Sequence, residues 1–183
     1  MNQPTLHTDR LLLRPFASED AEEIQALASD RAIAEGTFIP HPYKDGVAEE
    51  YIRTVQEGWQ EDNLAIFAVT ITEDRNLVGT VGLKDIDDHH NRAELGYWIG
   101  KPYWGNGFAT EAAAALLDFG FRELSLHRIY AFHFHTNPQS GRVLKKIGMK
   151  KEGALRKHIY RLDKYRDMIA YGILRSEWNA PGR

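Results

Sequence analysis

The sequence predicts a mixed α/β fold: a mostly antiparallel central sheet of about seven strands flanked by about four helices. Three observations predict it. Strand-like and helix-like stretches are interspersed along 183 residues, a length that suits one domain spanning 1–183 and buries a full core without staples. Residues 64–72, 77–86 and 91–100 read as three consecutive strands joined by short turns, which suits an antiparallel meander. A helical run then separates the strand at 91–100 from a strand at 128–135. Such a crossover sets those two strands parallel.

The elements follow in order. Residues 10–14 open as a strand, and Ser18, Glu19 and Asp20 start a helix to about Ser29 with Ala21, Ile24 and Leu27 inward. Residues 37–43 form a loop unusually rich in aromatic and proline residues: Phe38, Ile39, Pro40, His41, Pro42 and Tyr43. A second helix spans about 46–62, with Val47, Tyr51, Val55 and Trp59 recurring at four-residue spacing. After the meander come a helix at 107–124, the strand at 128–135, a helix at 138–147, and strands near 149–158 and 164–174.

The most informative run is Trp104-Gly105-Asn106-Gly107-Phe108-Ala109-Thr110-Glu111, which joins a glycine turn directly to a helix behind an apolar strand. Two glycines let backbone approach a ligand, and a helix's first turn offers unpaired N–H groups with partial positive charge. Phosphate binding and a tight structural turn both remain open on these residues. Neither nucleotide motif fits: Thr110 stands where a dinucleotide fingerprint needs its third glycine, and no Gly-Lys-Ser/Thr occurs.

Composition narrows the chemistry. With no cysteine, the chain has no disulfide, no thiol nucleophile and no cysteine-ligated metal. A formal charge of −3 supplies no field for nucleic acid or an anionic membrane. No run reaches the ~18 apolar residues of a membrane span, and Met1-Asn2-Gln3-Pro4 lacks a leader's basic and apolar regions. The expected location is the cytoplasm. His133 and His135 alternate onto one strand face, but no third ligand is evident, and Asp87, Asp88, His89 and His90 read as a hairpin loop; no metal is expected.

Taken with their neighbours, these motifs resemble the GNAT superfamily of N-acetyltransferases, and within it the ribosomal-protein N-terminal acetyltransferase branch. The resemblance begins at Thr8-Asp9-Arg10-Leu11-Leu12-Leu13-Arg14-Pro15, passes through residues 77–83 and Glu94-Leu95-Gly96-Tyr97-Trp98-Ile99, and continues through the glycine turn to residues 137–149 and Glu152-Gly153. Pro102 stands where the family's loop pattern begins with Gln or Arg, which leaves the cradling to the amides of residues 105–110.

The resemblance implies a GNAT-like sheet with a V-shaped splay between its two parallel strands, and acetyl-CoA as acyl donor. Gly105, Asn106, Gly107, Phe108, Ala109 and Thr110 would hold its phosphates, and Tyr97, Trp98 and Ile99 would run along pantetheine inserted as an extra strand. Asn137, Ser140 and Lys145 would add contacts from the helix at 138–147, with Arg142 and Lys146 as further cations. Residues 37–43 would wall the acceptor; otherwise they cover the core edge.

Acetyl transfer to an amine also needs a base, because an alkyl ammonium has a pKa of about 10, and an acid for the thiolate, whose pKa is about 8.5. Glu94 is the candidate base, its alternative being a solvated strand residue paired with Arg92. A backbone N–H near Trp98 or Ile99 is the candidate oxyanion donor. Ser140 is the candidate acid or else a capping residue, with Tyr160 and Tyr165 in reserve. The expected activity is an acetyl-CoA-dependent N-acetyltransferase acting by direct attack on a protein N-terminus or small amine. A non-catalytic acyl-CoA-binding module is the alternative, and a homodimer is compatible with the resemblance.

Overall fold

The computed structural model describes residues 2–179, so Met1 of the amino-terminal reading lies outside the described residues. Eight strands form one sheet in the order β1-β2-β3-β4-β5-β6-β8-β7. They are β1 (Leu6–His7), β2 (Leu11–Arg14), β3 (Ala65–Ile71), β4 (Leu77–Asp87), β5 (Arg92–Ile99), β6 (Arg128–Phe134), β7 (Lys150–Arg161) and β8 (Lys164–Leu174). Five α-helices accompany them: α1 (Ala21–Ala28), α2 (Arg31–Gly36), α3 (Val47–Gln60), α4 (Phe108–Arg122) and α5 (Pro138–Lys146). Neighbouring strands pair antiparallel except β5 and β6, which the α4 crossover makes parallel.

The sheet therefore has one strand and one helix more than the sequence pattern predicts. β1 is two residues long, too short to show a period of two. α2 is a helix of six residues, begun by Asp30, whose carboxylate accepts the Ala32 N–H at 2.9 Å. The late hairpin is longer than the apolar pattern suggests. β7 continues to Arg161 and turns at Leu162 and Asp163, both at positive φ (49° and 58°), the sense of turn that matches strand twist.

Strand alternation builds a core on each face. From β3, Phe67 and Val69 join Leu11, Leu13, Val81, Leu95 and the α4 residues Ala112, Ala113, Leu116 and Leu117. Ala68, between them, joins Phe16 and Leu77 and, from α1 and α3, Ile24, Ala48, Ile52 and Val55 on the opposite face. β5 divides likewise: Tyr97 packs with the α4 core and Trp98 with the α1/α3 core.

Close strand approach at the end of β5 depends on Gly79, where a Cβ would lie 2.2 Å from the Trp98 carbonyl oxygen and 2.9 Å from Ile99 Cα. Gly79→Ala should lower stability to urea by about 2 kcal/mol, because backbone cannot yield as a flexible side chain does. Gly96→Ala, where a Cβ meets nothing within 4 Å, should change it by no more than about 0.5 kcal/mol. Equal effects of the two substitutions would contradict this packing.

Candidate active site

β5 and β6 hold together at only three positions, Arg92↔Arg128, Ala93↔Ile129 and Glu94↔Tyr130, and then part. β6 continues to Phe134 in register with β8, while β5 continues to Ile99 in register with β4. The Gly100 N–H bonds the Val78 carbonyl at 2.8 Å, which fixes the alternation along β5. Residues 96, 98 and 100 present their backbone groups to β4; Tyr97 and Ile99 present theirs to the gap. The Trp98 amide is thus turned away from any ligand in the gap, and Tyr97 and Ile99 supply the free edge. The Ile99 carbonyl is already taken by the Trp104 indole N–H at 2.6 Å.

At the wide end of the gap lies the glycine turn. Gly105 and Gly107 sit at φ of 83° and 82°, a left-handed backbone that other residues resist. Gly107 caps α4 without a side-chain bond, so the first amides of the helix carry no cap from the chain's own side chains. Gly105, Gly107, Phe108, Ala109 and Thr110 line the cleft. Asn106 does not: its side-chain amide donates to the Tyr103 carbonyl at 3.1 Å and the Trp104 carbonyl at 3.4 Å, tying the turn together from behind.

Sequence reading missed the residue that holds this turn in place. The Arg10 guanidinium donates to the Asn106 carbonyl at 3.0 Å, pairs with Glu111 at 2.7 Å and lies 4.9 Å from the Phe108 ring centroid. Glu111 also accepts the Thr8 hydroxyl at 2.6 Å and the Arg10 N–H at 2.9 Å. The only sequence signal was the place of Thr8 and Arg10 in the opening motif.

A hydroxyl pair stands beside the gap. Tyr97 Oη lies 2.9 Å from Ser140 Oγ and donates to the Ser140 carbonyl at 3.0 Å. Burial pushes the Tyr97 phenol well above its ordinary value, so it stays protonated at neutral pH. Ser140 is not the capping side chain of α5. Asn137 caps, its carbonyl oxygen accepting the Ser140 N–H at 3.2 Å while its amide donates to the Gly36 carbonyl at 3.1 Å. Of the α5 cations, Arg142 and Lys146 line the cleft; Lys145 lies one residue, about 100° of helix rotation, off that face.

Glu94 projects to the α1/α3 side of the sheet with only 15% of its side chain exposed, and pairs with Lys84 at 3.0 Å. Its partner is the residue directly across on β4, not Arg92, which a strand irregularity carries to Asp87 at 3.3 Å. Loop 37–43 closes this side. Phe38 packs edge-on against Phe134 at 5.0 Å, and Arg161 donates to the Thr37 carbonyl at 2.9 Å and to the Ile39 carbonyl. Tyr160 and Tyr165 pack against each other on the surface, ring centroids 5.0 Å apart and tilted by 60°, 63% and 66% exposed, and neither lines the cleft.

The result is one continuous cleft of about 1100 Å³ from the α4 N-terminus, through the gap, to loop 37–43. Among the described residues no cluster of three or more His, Asp or Glu is placed to hold a metal ion, and no helix is long and apolar enough to cross a membrane.

A sheet opened between parallel strands, beside an uncapped helix, matches known proteins. The model of the acetyltransferase (GNAT) domain matches residues 10–150. YoaA, an uncharacterised N-acetyltransferase of Bacillus subtilis, is 34% identical over 172 residues, covering 94% of this chain and 97% of its own. YdaF of the same organism, which carries a provisional ribosomal N-acetyltransferase name, is 27% identical over 172 residues, covering 93% and 94%. A spermidine N-acetyltransferase from Vibrio cholerae, solved with CoA and spermine, superposes with a TM-score of 0.81 at 27% identity, covering 93% and 98%. The chain belongs to the GNAT acetyltransferase family and is an N-acetyltransferase.

The network at the turn is sensitive to acid. Burial alone would raise the Glu111 carboxyl, but bonds from the Thr8 hydroxyl, the Arg10 amide and the Arg10 guanidinium overcome it and hold the group below its ordinary 4.5. Its stabilisation is therefore full above that value and is lost as pH falls through the folded one. Glu111→Gln should lower stability to urea at neutral pH, with the deficit shrinking below about pH 4. A deficit that is constant with pH would contradict the charged network.

Proposed function

We propose that this chain transfers the acetyl group of acetyl-CoA to a primary amine by direct attack within a ternary complex. The observation that carries the reading is the parting of β5 from β6, which leaves the Tyr97 and Ile99 edge without a neighbouring strand between an open helix N-terminus and a largely buried carboxylate. The amides at Gly105, Gly107, Phe108, Ala109 and Thr110 receive the phosphates, with Arg142 and Lys146 adding charge from α5. The pantetheine arm lies along Tyr97 and Ile99 as an added strand, and the gap-facing amide nearest the thioester takes the developing oxyanion.

Glu94 accepts the proton of the incoming ammonium, directly or through water, as nitrogen bonds to the acetyl carbon. The tetrahedral adduct then expels the thiolate as the C–S bond breaks. The Ser140 hydroxyl gives its proton to sulfur and regains one, directly or through water, from the nitrogen of the adduct, and Tyr97, held protonated by burial, supports it through their 2.9 Å contact. A protein N-terminus, such as that of a ribosomal protein, and a small amine are both within reach of this machinery.

Release of CoA, followed with a panel of amines, tests the reading. Glu94→Gln should lower kcat by about 10²-fold or more while acetyl-CoA affinity stays within about twofold, and Ser140→Ala should lower kcat by about 10²-fold. Full turnover in Glu94→Gln would remove Glu94 as the base; full turnover in Ser140→Ala would remove Ser140 as the acid.

A further inference from the structure

The acceptor arm carries an unusual balance of charge for an enzyme whose substrate enters as a cation. Four charged side chains line that arm among the described residues: Glu35, Lys84, Glu94 and Arg166. Glu35 is met by Arg31 at 3.0 Å and Glu94 by Lys84 at 3.0 Å, so both carboxylates already have a cation. Arg166 bonds the Arg161 carbonyl and the Thr136 hydroxyl and pairs with no carboxylate among the described residues. Lys84 lies 3.0 Å from Glu94 and 5.9 Å from the Phe38 ring centroid; Arg166 lies 5.9 Å from that of Phe134, the ring against which Phe38 packs.

A polyamine would bring several ammonium groups to an arm whose two carboxylates are already paired and whose Arg166 is a like charge. A single amine bearing an anion beside it meets the opposite situation. Its nitrogen goes to Glu94 and its anion to Lys84, so one intramolecular ion pair opens to form two with the substrate. An α-amino acid carries both groups on one carbon, a spacing that suits a pair whose members are 3.0 Å apart. Most of the rest of the arm is apolar, walled by Ile33, Phe38, Tyr43, Val47, Tyr51 and Trp98, with Thr37 and Thr80 as neutral polar groups.

We infer that the acceptor is a free α-amino acid with an apolar side chain, its amine directed to Glu94 and its carboxylate held by Lys84. This rests on the acetyltransferase reading above. The nitrogen bonds to the acetyl carbon as one ammonium proton passes to Glu94, the C–S bond breaks as Ser140 protonates the thiolate, the second nitrogen proton replaces the one Ser140 gives up, and the carboxylate is unchanged, so Lys84 acts on binding and selection alone.

The test compares L-phenylalanine with L-phenylalaninamide, which presents an amide as a peptide N-terminus does, with phenethylamine, which lacks the carboxylate, and with spermidine. Phenylalanine should give kcat/KM at least about tenfold above the other three, mainly through KM. Lys84→Gln should collapse that preference to within about threefold, with acetyl-CoA binding reporting that the variant is folded. Preference for phenethylamine, the amide or spermidine overturns the inference while leaving the acetyltransferase reading intact. So does acetyl-CoA binding without CoA release on any of the four, or a preference that survives Lys84→Gln. Absence of both acetyl-CoA binding and CoA release would instead overturn the acetyltransferase reading, and this inference with it.

Discussion

Three residue pairs between β5 and β6 are the seam on which the molecule is built. Each strand is fully committed on its other side, β5 to β4 and β6 to β8, so the sheet is two half-sheets sharing one short hinge. Unpaired backbone in a protein interior costs free energy unless something else bonds it. The chain satisfies part of the exposed edge itself, the Trp104 indole taking the Ile99 carbonyl, and leaves the rest facing the gap. A splay of this kind persists because the core against α4 runs unbroken under both half-sheets, from Phe67 and Leu95 to Ile129, Ala131 and Ile173, and holds them together without the missing ladder.

Contacts across the seam then decide its shape. Tyr97 reaches from β5 to Ser140 on α5, and Asn137 reaches back to Gly36 at the end of α2. Arg161, from the far hairpin, binds carbonyls of loop 37–43, and Phe38 of that loop packs on Phe134 of β6. The wall that loop 37–43 gives the cleft therefore belongs to the first half of the chain but is held by the second. At the other end Arg10 ties the glycine turn to the opening strand, so the α4 N-terminus is anchored where its amides must stay exposed.

Much of this was legible in the sequence because it is local. The glycine turn, the helix behind it and the parallel crossover follow from residue type and periodicity along one continuous stretch, residues 91–135. What was not legible depends on register or long range. The Arg10 contact with Glu111 spans 101 residues and the Arg161 contact with Thr37 spans 124. Arg92 is nearer Glu94 in sequence than Lys84 is, yet the regular β4–β5 register sets Lys84 across from Glu94, and the irregularity beyond it sets Arg92 against Asp87. Lys145 and Lys146 differ by one residue, and only the observed phase of α5 puts Lys146 on the cleft. Asn106 carries the right residue type for a phosphate loop but spends its side chain on the loop itself. Tyr160 lies on β7, exposed along most of its length, and Tyr165 at the exposed start of β8, as the basic residues around them already suggested.

The central claim is that the gap between the half-sheets is a binding slot for a CoA thioester and not a packing defect. Calorimetric titration of the purified protein with acetyl-CoA, repeated in the presence of ATP and of NAD, tests it most directly. The account predicts saturable one-to-one binding that neither nucleotide displaces, since the pantetheine arm that pairs with the Tyr97 and Ile99 edge is absent from both. No binding, or binding that ATP or NAD abolishes at comparable concentration, would mean that the glycine turn alone recognises phosphate and that the gap plays no part.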